Sequence, residues 1–378
     1  MDDQTLLYDP LFETPPDTVI RDTPGRGFWG KAVVKKTAFV LAMVLFVGAA
    51  IVLSFSSLSK DRFSYKEVDG GWELDEFIAA KTDTVLEIGP VFNEDDSTRP
   101  GERTVSVRTF AVCGNEYTWI ILVDKDVLEI PNTAFYSCSS LLAVLVDPEN
   151  PNYYSDNGVL YRTENGKPAE VMLCPAKNDL YRAMLAQGET PPADAAAASA
   201  FAEKAKALDE KSGDWLDEQK KTEPKEGLFG LTAAEAAARQ EAFSYDILPG
   251  VTRVGELAFA ECGTLKSITI PVTVTAIDTM AFFKCGNLRS IHIPDGVETI
   301  GSDAFSYCAK APYIFIPASV KEIGHHAFWG CDGVTDDAVY LACSEENAPV
   351  TGQDWLPKYR KLFLHNVPVV YDAERRDG

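Results

Sequence analysis

The chain has 378 residues, enough for two or three ordinary domains, and its 57 acidic against 35 basic side chains give a formal charge of −22. A surface of that sign repels phosphate backbones, which excludes nucleic-acid binding through a general basic field. An apolar share of 46% excludes a wholly disordered chain.

Residues 1–36 are polar and acidic near their start, with Thr14-Pro15 and Thr23-Pro24, and predict a disordered cytoplasmic tail. Residues 37–55, TAFVLAMVLFVGAAIVLSF, then run for 19 positions without a charge. At about 1.5 Å per residue they match the ~30 Å hydrocarbon core of a bilayer. A cleaved signal peptide has a short leading region and an apolar core of about 7–15 residues. Here a longer core comes after 36 polar residues. A buried core helix would show a polar face, and this segment has none. The pattern therefore predicts an uncleaved, single-pass transmembrane helix. Lys35 and Lys36 abut the apolar run and join Arg26 and Lys31 before it, against Lys60, Arg62 and Lys66 after it. That bias predicts a cytoplasmic N-terminus and an extracellular C-terminal part.

Residues 56–99 form a juxtamembrane or N-terminal cap region. The acidic stretch NEDDSTRPGE at 93–102 lacks the DxDxDG spacing of a calcium loop and reads as a solvated loop.

A repeat dominates the rest of the chain. From Val254 the residues read VGELAFAECGTLKSITIPVTV, from Ile277 IDTMAFFKCGNLRSIHIPDGV, from Ile300 IGSDAFSYCAKAPYIFIPASV, and from Ile323 IGHHAFWGCDGV. Cys262, Cys285, Cys308 and Cys331 stand 23 residues apart. Phe259, Phe282, Phe305 and Phe328 lie three before them, preceded by Ala258, Ala281, Ala304 and Ala327. Two looser copies come earlier. One aligns Ile130, Ala134, Phe135, Cys138, Leu141, Val144 and Val146; the other aligns Val105, Phe110 and Cys113, with two residues inserted before Cys138. DILPGV at 246–251 reads as the tail of a further unit. Within each unit LxxIxIP predicts a short strand, with Ile268 and Ile270 facing one way and Thr269 the other, ended by a proline that cannot donate to a ladder. IGxxAFxxC predicts a glycine turn and a tight or helical stretch. One unit cannot bury its apolar side alone, but stacked units can.

The columns LxxIxIPxxVxxIGxxAFxxC, as in Leu288 through Cys308, resemble the BspA-type leucine-rich repeats of bacterial cell-surface proteins. The resemblance covers roughly 100–175 and 245–345. It implies an α/β-type solenoid with a 23-residue period and short parallel strands, and a surface-displayed binding or adhesive module with no catalytic residues to transfer. VDPENPNYYSDNGVLYR at 146–162, followed by MLCPA at 172–176, is similar to the hairpin that members of the family insert between repeats. Repeats thus occupy 100–176 and 245–337. Between them, 177–244 is rich in Ala, Glu and Lys, and Thr232 with Glu235 forms a capping-box pair, so two or three helices are predicted as an arm or a partly disordered insertion. Residues 338–378 read as a C-terminal cap and tail.

Repeated cysteines in an apolar column do not suit a catalytic thiol, which is singular and activated by a positive neighbour. No CxxC stands in the chain, so no zinc knuckle is predicted. A disulfide fits an extracellular setting, but parallel side chains on adjacent coils give a poor dihedral and no unique partner. Cys113, Cys138, Cys262, Cys285, Cys308 and Cys331 are therefore read as a ladder of reduced, buried thiols, with Cys174 and Cys343 off it. His292, His325 and His326 read as solvent-exposed repeat positions rather than metal ligands. No cofactor, no metal and no enzymatic activity are predicted.

The outward strand face is the natural binding surface, and it carries Thr269, His292 and Phe315 flanked by Lys266, Arg289 and Tyr313, with the two aromatics as candidate anchors. Two function classes fit this pattern. The first is a membrane-anchored surface protein whose ectodomain binds an extracellular protein or glycan. The second is a structural or sensory membrane component that uses the repeats as a spacer and its tail or insertion to recruit partners.

Overall fold

The chain divides into two units, Met1–Lys60 and Asp61–Gly378. The computed structural model describes residues 62–93, 95, 97–219, 243–311, 313–331, 339–352 and 369–374, with side chains to 210 in the helix that ends at 219. The 1–36 tail and the 37–55 span lie outside the described residues. Among those described, no helix is long and apolar enough to cross a membrane.

The N-terminal part opens with strands β1 (Phe63–Val68), β2 (Gly71–Phe77), β3 (Val85–Ile88), β4 (Pro90–Phe92) and β5 (Thr98–Val107). β1 and β2 form an antiparallel hairpin whose turn needs the left-handed Gly70, and β5 joins β2 in parallel. Its inner side is closed by Leu74 and Phe77, with the Phe63 ring 4.9 Å from Phe77 and 4.7 Å from Phe92. This sheet covers the first coil of the solenoid, which would otherwise expose its apolar end.

Each coil then contributes short strands to stacked ladders. β6 (Ile120–Val123) and β7 (Ala143–Val146) extend β3 in parallel. β8 (Tyr153–Asp156), β9 (Val159–Glu164) and β10 (Lys167–Leu173) make the antiparallel hairpin element that the 146–176 sequence signals. Helices α1 (Asn178–Ala186) and α2 (Ala195–Gln219) come next, within the 177–244 segment. In the C-terminal repeats one ladder is built by β12 (Arg253–Val254), β14 (Ala276–Ile277), β16 (Thr299–Ile300), β18 (Glu322–Ile323) and β20 (Val350–Thr351), all parallel and joined to β10. The LxxIxIP strands build the other side: β11 (Ser244–Asp246) pairs with β13 (Ser267–Thr269), and β15 (Ile291–His292) with β17 (Ile314–Ile316), β19 (Val339–Leu341) and β21 (Val369–Val370). Strand pairing thus continues into the segment read as a terminal cap, and the mostly parallel solenoid is a leucine-rich-repeat fold.

The AFxxC stretch is a run of turns rather than a helix, and it forms a third ladder. Leu257, Phe259 and Glu261 donate their backbone N–H groups to the carbonyls of Thr279, Ala281 and Phe283 at 3.1, 2.7 and 2.7 Å. Met280, Phe282 and Lys284 repeat this toward Ser302, Ala304 and Ser306 at 2.8, 2.7 and 2.8 Å. Three donors in a row point the same way because left-handed residues (Leu257, Glu261, Met280, Lys284) alternate with ordinary ones. The cost of those conformations, of order 1 kcal/mol each, is offset by the coil-to-coil backbone hydrogen bonds they allow.

The core is the stack of these turns against the strands. Phe259, Phe282, Phe305 and Phe328 are fully buried, with successive ring centroids 5.1, 5.0 and 5.4 Å apart and nearly parallel planes. Cys285, Cys308 and Cys331 each donate a thiol hydrogen to the phenylalanine carbonyl of the preceding coil, Phe259, Phe282 and Phe305, at 3.1, 3.4 and 3.2 Å. A small apolar side chain that also carries a weak donor suits this column. Burial pushes the Cys308 and Cys285 thiols well up and that of Cys138 up to about 12, which keeps them protonated.

Two positions correct the sequence register. Cys113 is exposed and Phe110 is 52% exposed, so neither fills a core column. The left-handed Phe110 and Gly114 stand where Leu257 and Glu261 stand. Val112 N–H bonds the Ala134 carbonyl at 3.1 Å as Phe259 bonds Ala281. Ala111 and Val112 therefore take the alanine and phenylalanine columns, Val107 the column given to Val105, and Asn115 the cysteine column. Asn115 tolerates burial because its Oδ1 accepts from Tyr117 N–H and Thr118 N–H and its Nδ2 donates to Thr118 Oγ1. From Asn115 to Cys138 is 23 residues, so no insertion is needed. Cys174 lies outside the cysteine column: its N–H donates to the Ala258 carbonyl at 2.6 Å, which places it in the phenylalanine column of the hairpin coil.

Replacing Phe282 by Ala should destabilise the Asp61–Gly378 unit by about 3–5 kcal/mol in denaturant unfolding. Gly324→Ala should also lower the unfolding midpoint, since its Cβ would fall 2.3 Å from the Ser302 nitrogen of the preceding coil. Brief alkylation of the native protein, mapped by peptide mass spectrometry, should modify exposed Cys113 well before Cys138, Cys262, Cys285, Cys308 and Cys331.

Candidate functional site

Outward positions on the LxxIxIP side differ sharply between the two repeat blocks. In the N-terminal block the strands read IILV and AVLV, apolar on both faces. Ile121, Val123 and Val144 point into the solenoid, while Ile120, Leu122, Ala143 and Leu145 face the other way. That second apolar face is covered by the insertion. α2 lays Ala198, Phe201, Ala202 and Ala205 on it, a stripe at helical spacing whose small members permit close approach. Asp194 caps the helix through the Ala197 N–H at 2.8 Å. The Tyr181 ring of α1 meets Phe201 at 5.3 Å, and Lys177 stands over the Trp119 ring at 5.1 Å while pairing with Asp209. The first part of the insertion is thus packed on the repeats, and this face is not open to a partner. The signal was present in the sequence: continuous apolar runs imply strands covered on both sides, against the alternation of SITI and SIHI.

In the C-terminal block the outward residues are polar or aromatic. Thr269, Arg289 and His292 are exposed and Lys266 is half-buried, its ammonium 4.4 Å above the Phe243 ring. Lys266 and Arg289 share one column and Thr269 and His292 the next outward one, with His292 directly opposite Phe315. Tyr313 stands instead in the column of Ser267 and Ser290. Desolvation, and after it the nearby Arg289 charge, lower the pKa of Lys310.

Phe315 does not protrude as the sequence suggests. It is only 7% exposed, because Tyr313 stacks along the strand at 6.4 Å while His292 and Tyr340 flank it from the neighbouring strands. Tyr340, half-buried and 5.3 Å from Tyr313, completes the aromatic group. Sequence reasoning missed it because Tyr340 lies 25 rather than 23 residues after its partner Phe315, so Asp337 falls where the isoleucine belongs; the V-Y-L alternation at 339–341 was the remaining signal. Of the six candidate residues, the fold brings His292, Tyr313 and Phe315 together, with Arg289 on the coil of His292 and Lys266 and Thr269 on the coil before it.

A second surface lies beside the β12–β20 ladder. There the column Gly301, Gly324 and Gly352 leaves a trough of about 710 Å³ bordered by Arg253, Glu256, Asp278, Glu322 and His325. Glycine is required because a Cβ on any of the three would approach the preceding coil's backbone within 2.4 Å. Burial raises the Asp278 carboxyl, opposed by its 2.7 Å bond to Arg253. Among the described residues no group of three or more His, Cys, Asp or Glu side chains converges as a metal site would require.

The family model for the BspA type leucine rich repeat region matches residues 240–338 in six copies. This stretch belongs to the BspA-type leucine-rich-repeat family. No curated protein matches the chain. Similar solved structures include the pneumococcal vaccine antigen PcpA, at 15% identity and TM-score 0.46, covering 70% of this chain and 51% of that one. A leucine rich cell surface protein from Faecalibacterium prausnitzii matches at 17% identity and TM-score 0.39, covering 66% and 53%. A leucine-rich repeat protein from Bacteroides ovatus matches at 19% identity and TM-score 0.34, covering 77% and 66%. This chain therefore spans about half the length of the first two. The BspA-type match lies on the C-terminal repeats, the block whose strand face carries the polar and aromatic residues.

Truncating Phe201 to Ala should destabilise the protein by about 3 kcal/mol and speed hydrogen exchange in α2, because the helix is held by that ring and an alanine stripe. Unchanged exchange in 195–210 would show that the insertion is not anchored there.

Proposed function

We propose that this protein is a cell-surface interaction module, anchored by the 37–55 segment with its repeats outside the cell, and that the C-terminal strand face binds an extracellular protein or glycan. The observation that supports this most is the contrast between blocks. The apolar face of the N-terminal repeats is occupied by the protein's own helices, whereas the C-terminal face presents Lys266, Thr269, Arg289 and His292 beside the Tyr313–Phe315–Tyr340 rings. Aromatic and arginine side chains held in place by neighbours are the residue types that anchor interfaces, because little conformational entropy is lost on binding. Phe315 serves as the support against which Tyr313 and Tyr340 are held. The chemistry expected of the repeats is recognition rather than catalysis, and membrane attachment rests on the 19 uncharged residues of 37–55.

Immobilised Asp61–Gly378 should capture a ligand from arrays of cell-surface proteins, matrix proteins and glycans. Arg289→Ala or Tyr340→Ala should weaken that binding about tenfold, a loss of about 1.4 kcal/mol. A ligand insensitive to both substitutions, or no ligand at all, would sink this reading.

A further inference from the structure

Cys174 departs from the rest of the thiol ladder. In the coils of Cys285, Cys308 and Cys331 the thiol meets the carbonyl of a phenylalanine in the coil before it. In the coil of Cys262 that carbonyl belongs to Cys174, and Cys262 Sγ lies 3.4 Å from it. The residue beneath the thiol is therefore itself a thiol, in the place where the next three coils hold the rings of Phe259, Phe282 and Phe305. Both cysteines are 4% exposed. Cys262 Sγ thus rests against the backbone of Cys174, and the Cys174 side chain, ahead of burial, pushes the Cys262 thiol up. Cys174 also lines a small cavity of about 20 Å³ with Cys138 and Glu261, room for one water. Successive cysteines of the main ladder occupy one column and project in parallel, which disfavours a bridge. Cys174 and Cys262 come from different columns and approach each other across adjacent coils.

We propose that Cys174 and Cys262 form a disulfide when the protein folds in an oxidising compartment. One thiolate attacks a sulfur of a small-molecule disulfide such as oxidised glutathione, giving a mixed disulfide and releasing a glutathione thiolate. The second thiolate attacks the protein sulfur of that mixed disulfide, forming the Cys174–Cys262 bond and releasing the second glutathione thiolate. The two thiol protons pass to the two leaving thiolates, and the oxidant takes up the electron pair. Because both sulfurs are buried, the exchange proceeds before the coils close or during local opening. The bond would join residues 88 apart, closing the segment that carries α1 and α2 and tying the hairpin coil to the first C-terminal repeat. Its formation is independent of whether the C-terminal strand face binds a ligand.

The full-length chain is equilibrated with reduced and oxidised glutathione over a range of ratios, starting both from reduced protein and from protein folded in oxidant. Free thiols are alkylated and the digest is analysed without reduction, with circular dichroism verifying the fold. At the oxidising end one cross-linked peptide should join Cys174 to Cys262, and the intact mass should fall by two hydrogens. Cys174→Ser should abolish the cross-link, Cys285→Ser should retain it, and oxidation should raise the melting temperature of the wild type but not of Cys174→Ser. Eight alkylated thiols at every ratio in folded protein, or Cys262 joined to Cys285 or Cys138, would overturn the proposal. Wild-type peptide mapping decides the matter even if a variant fails to fold.

Discussion

The structure depends on backbone hydrogen bonds that run from coil to coil and recur with the 23-residue repeat. Side chains in the turn are chosen by that constraint. Alanine is small enough for adjacent coils to approach, glycine is forced at 301, 324 and 352 where a Cβ would strike the preceding coil, and left-handed residues aim several N–H groups in one direction. Once the backbones are locked at this spacing the phenylalanine rings must stack at about 5 Å, and each cysteine must sit beneath the carbonyl of the coil before it. The core follows from the ladder rather than the reverse, which is why Val112, Cys174 and Asn115 can substitute into the columns without changing the path of the chain.

The same spacing explains how one scaffold carries two unlike surfaces. Side chains pointing inward are fixed by stacking, but outward positions are decided only by what covers them. Ile120, Leu122, Ala143 and Leu145 require a cover, and α1 with α2 supplies it. Thr269 and His292 occupy positions equivalent to Leu122 and Leu145 and are exposed. Phe315 falls between these cases: apolar and outward, it is shielded by rings from its own and neighbouring strands rather than by a separate element.

Cysteine illustrates how position overrides residue type. Cys113 lies on the surface, Cys285 and Cys308 are repeat-column thiols whose burial keeps them protonated, and Cys174 meets Cys262 across columns. Reading Cys113 as equivalent to the other five ladder cysteines misassigned the first coil by two residues, because a thiol two positions early looked like a match while asparagine did not. Only the hydrogen bonds of Val112 and Gly114 to Ala134 and Tyr136 reveal the true register.

By itself the sequence determined the period, the solenoid, the hairpin between repeats and the identity of the four C-terminal coils, since each of these is written in local spacing that recurs. It also marked the polar and aromatic outward columns. Tertiary structure alone decided that Asn115 fills a cysteine column, that Phe315 is enclosed, that Tyr340 joins the aromatic group, and that α1 and α2 close the N-terminal face. These outcomes depend on contacts between residues far apart in the chain, and repeat spacing records only which coil follows which.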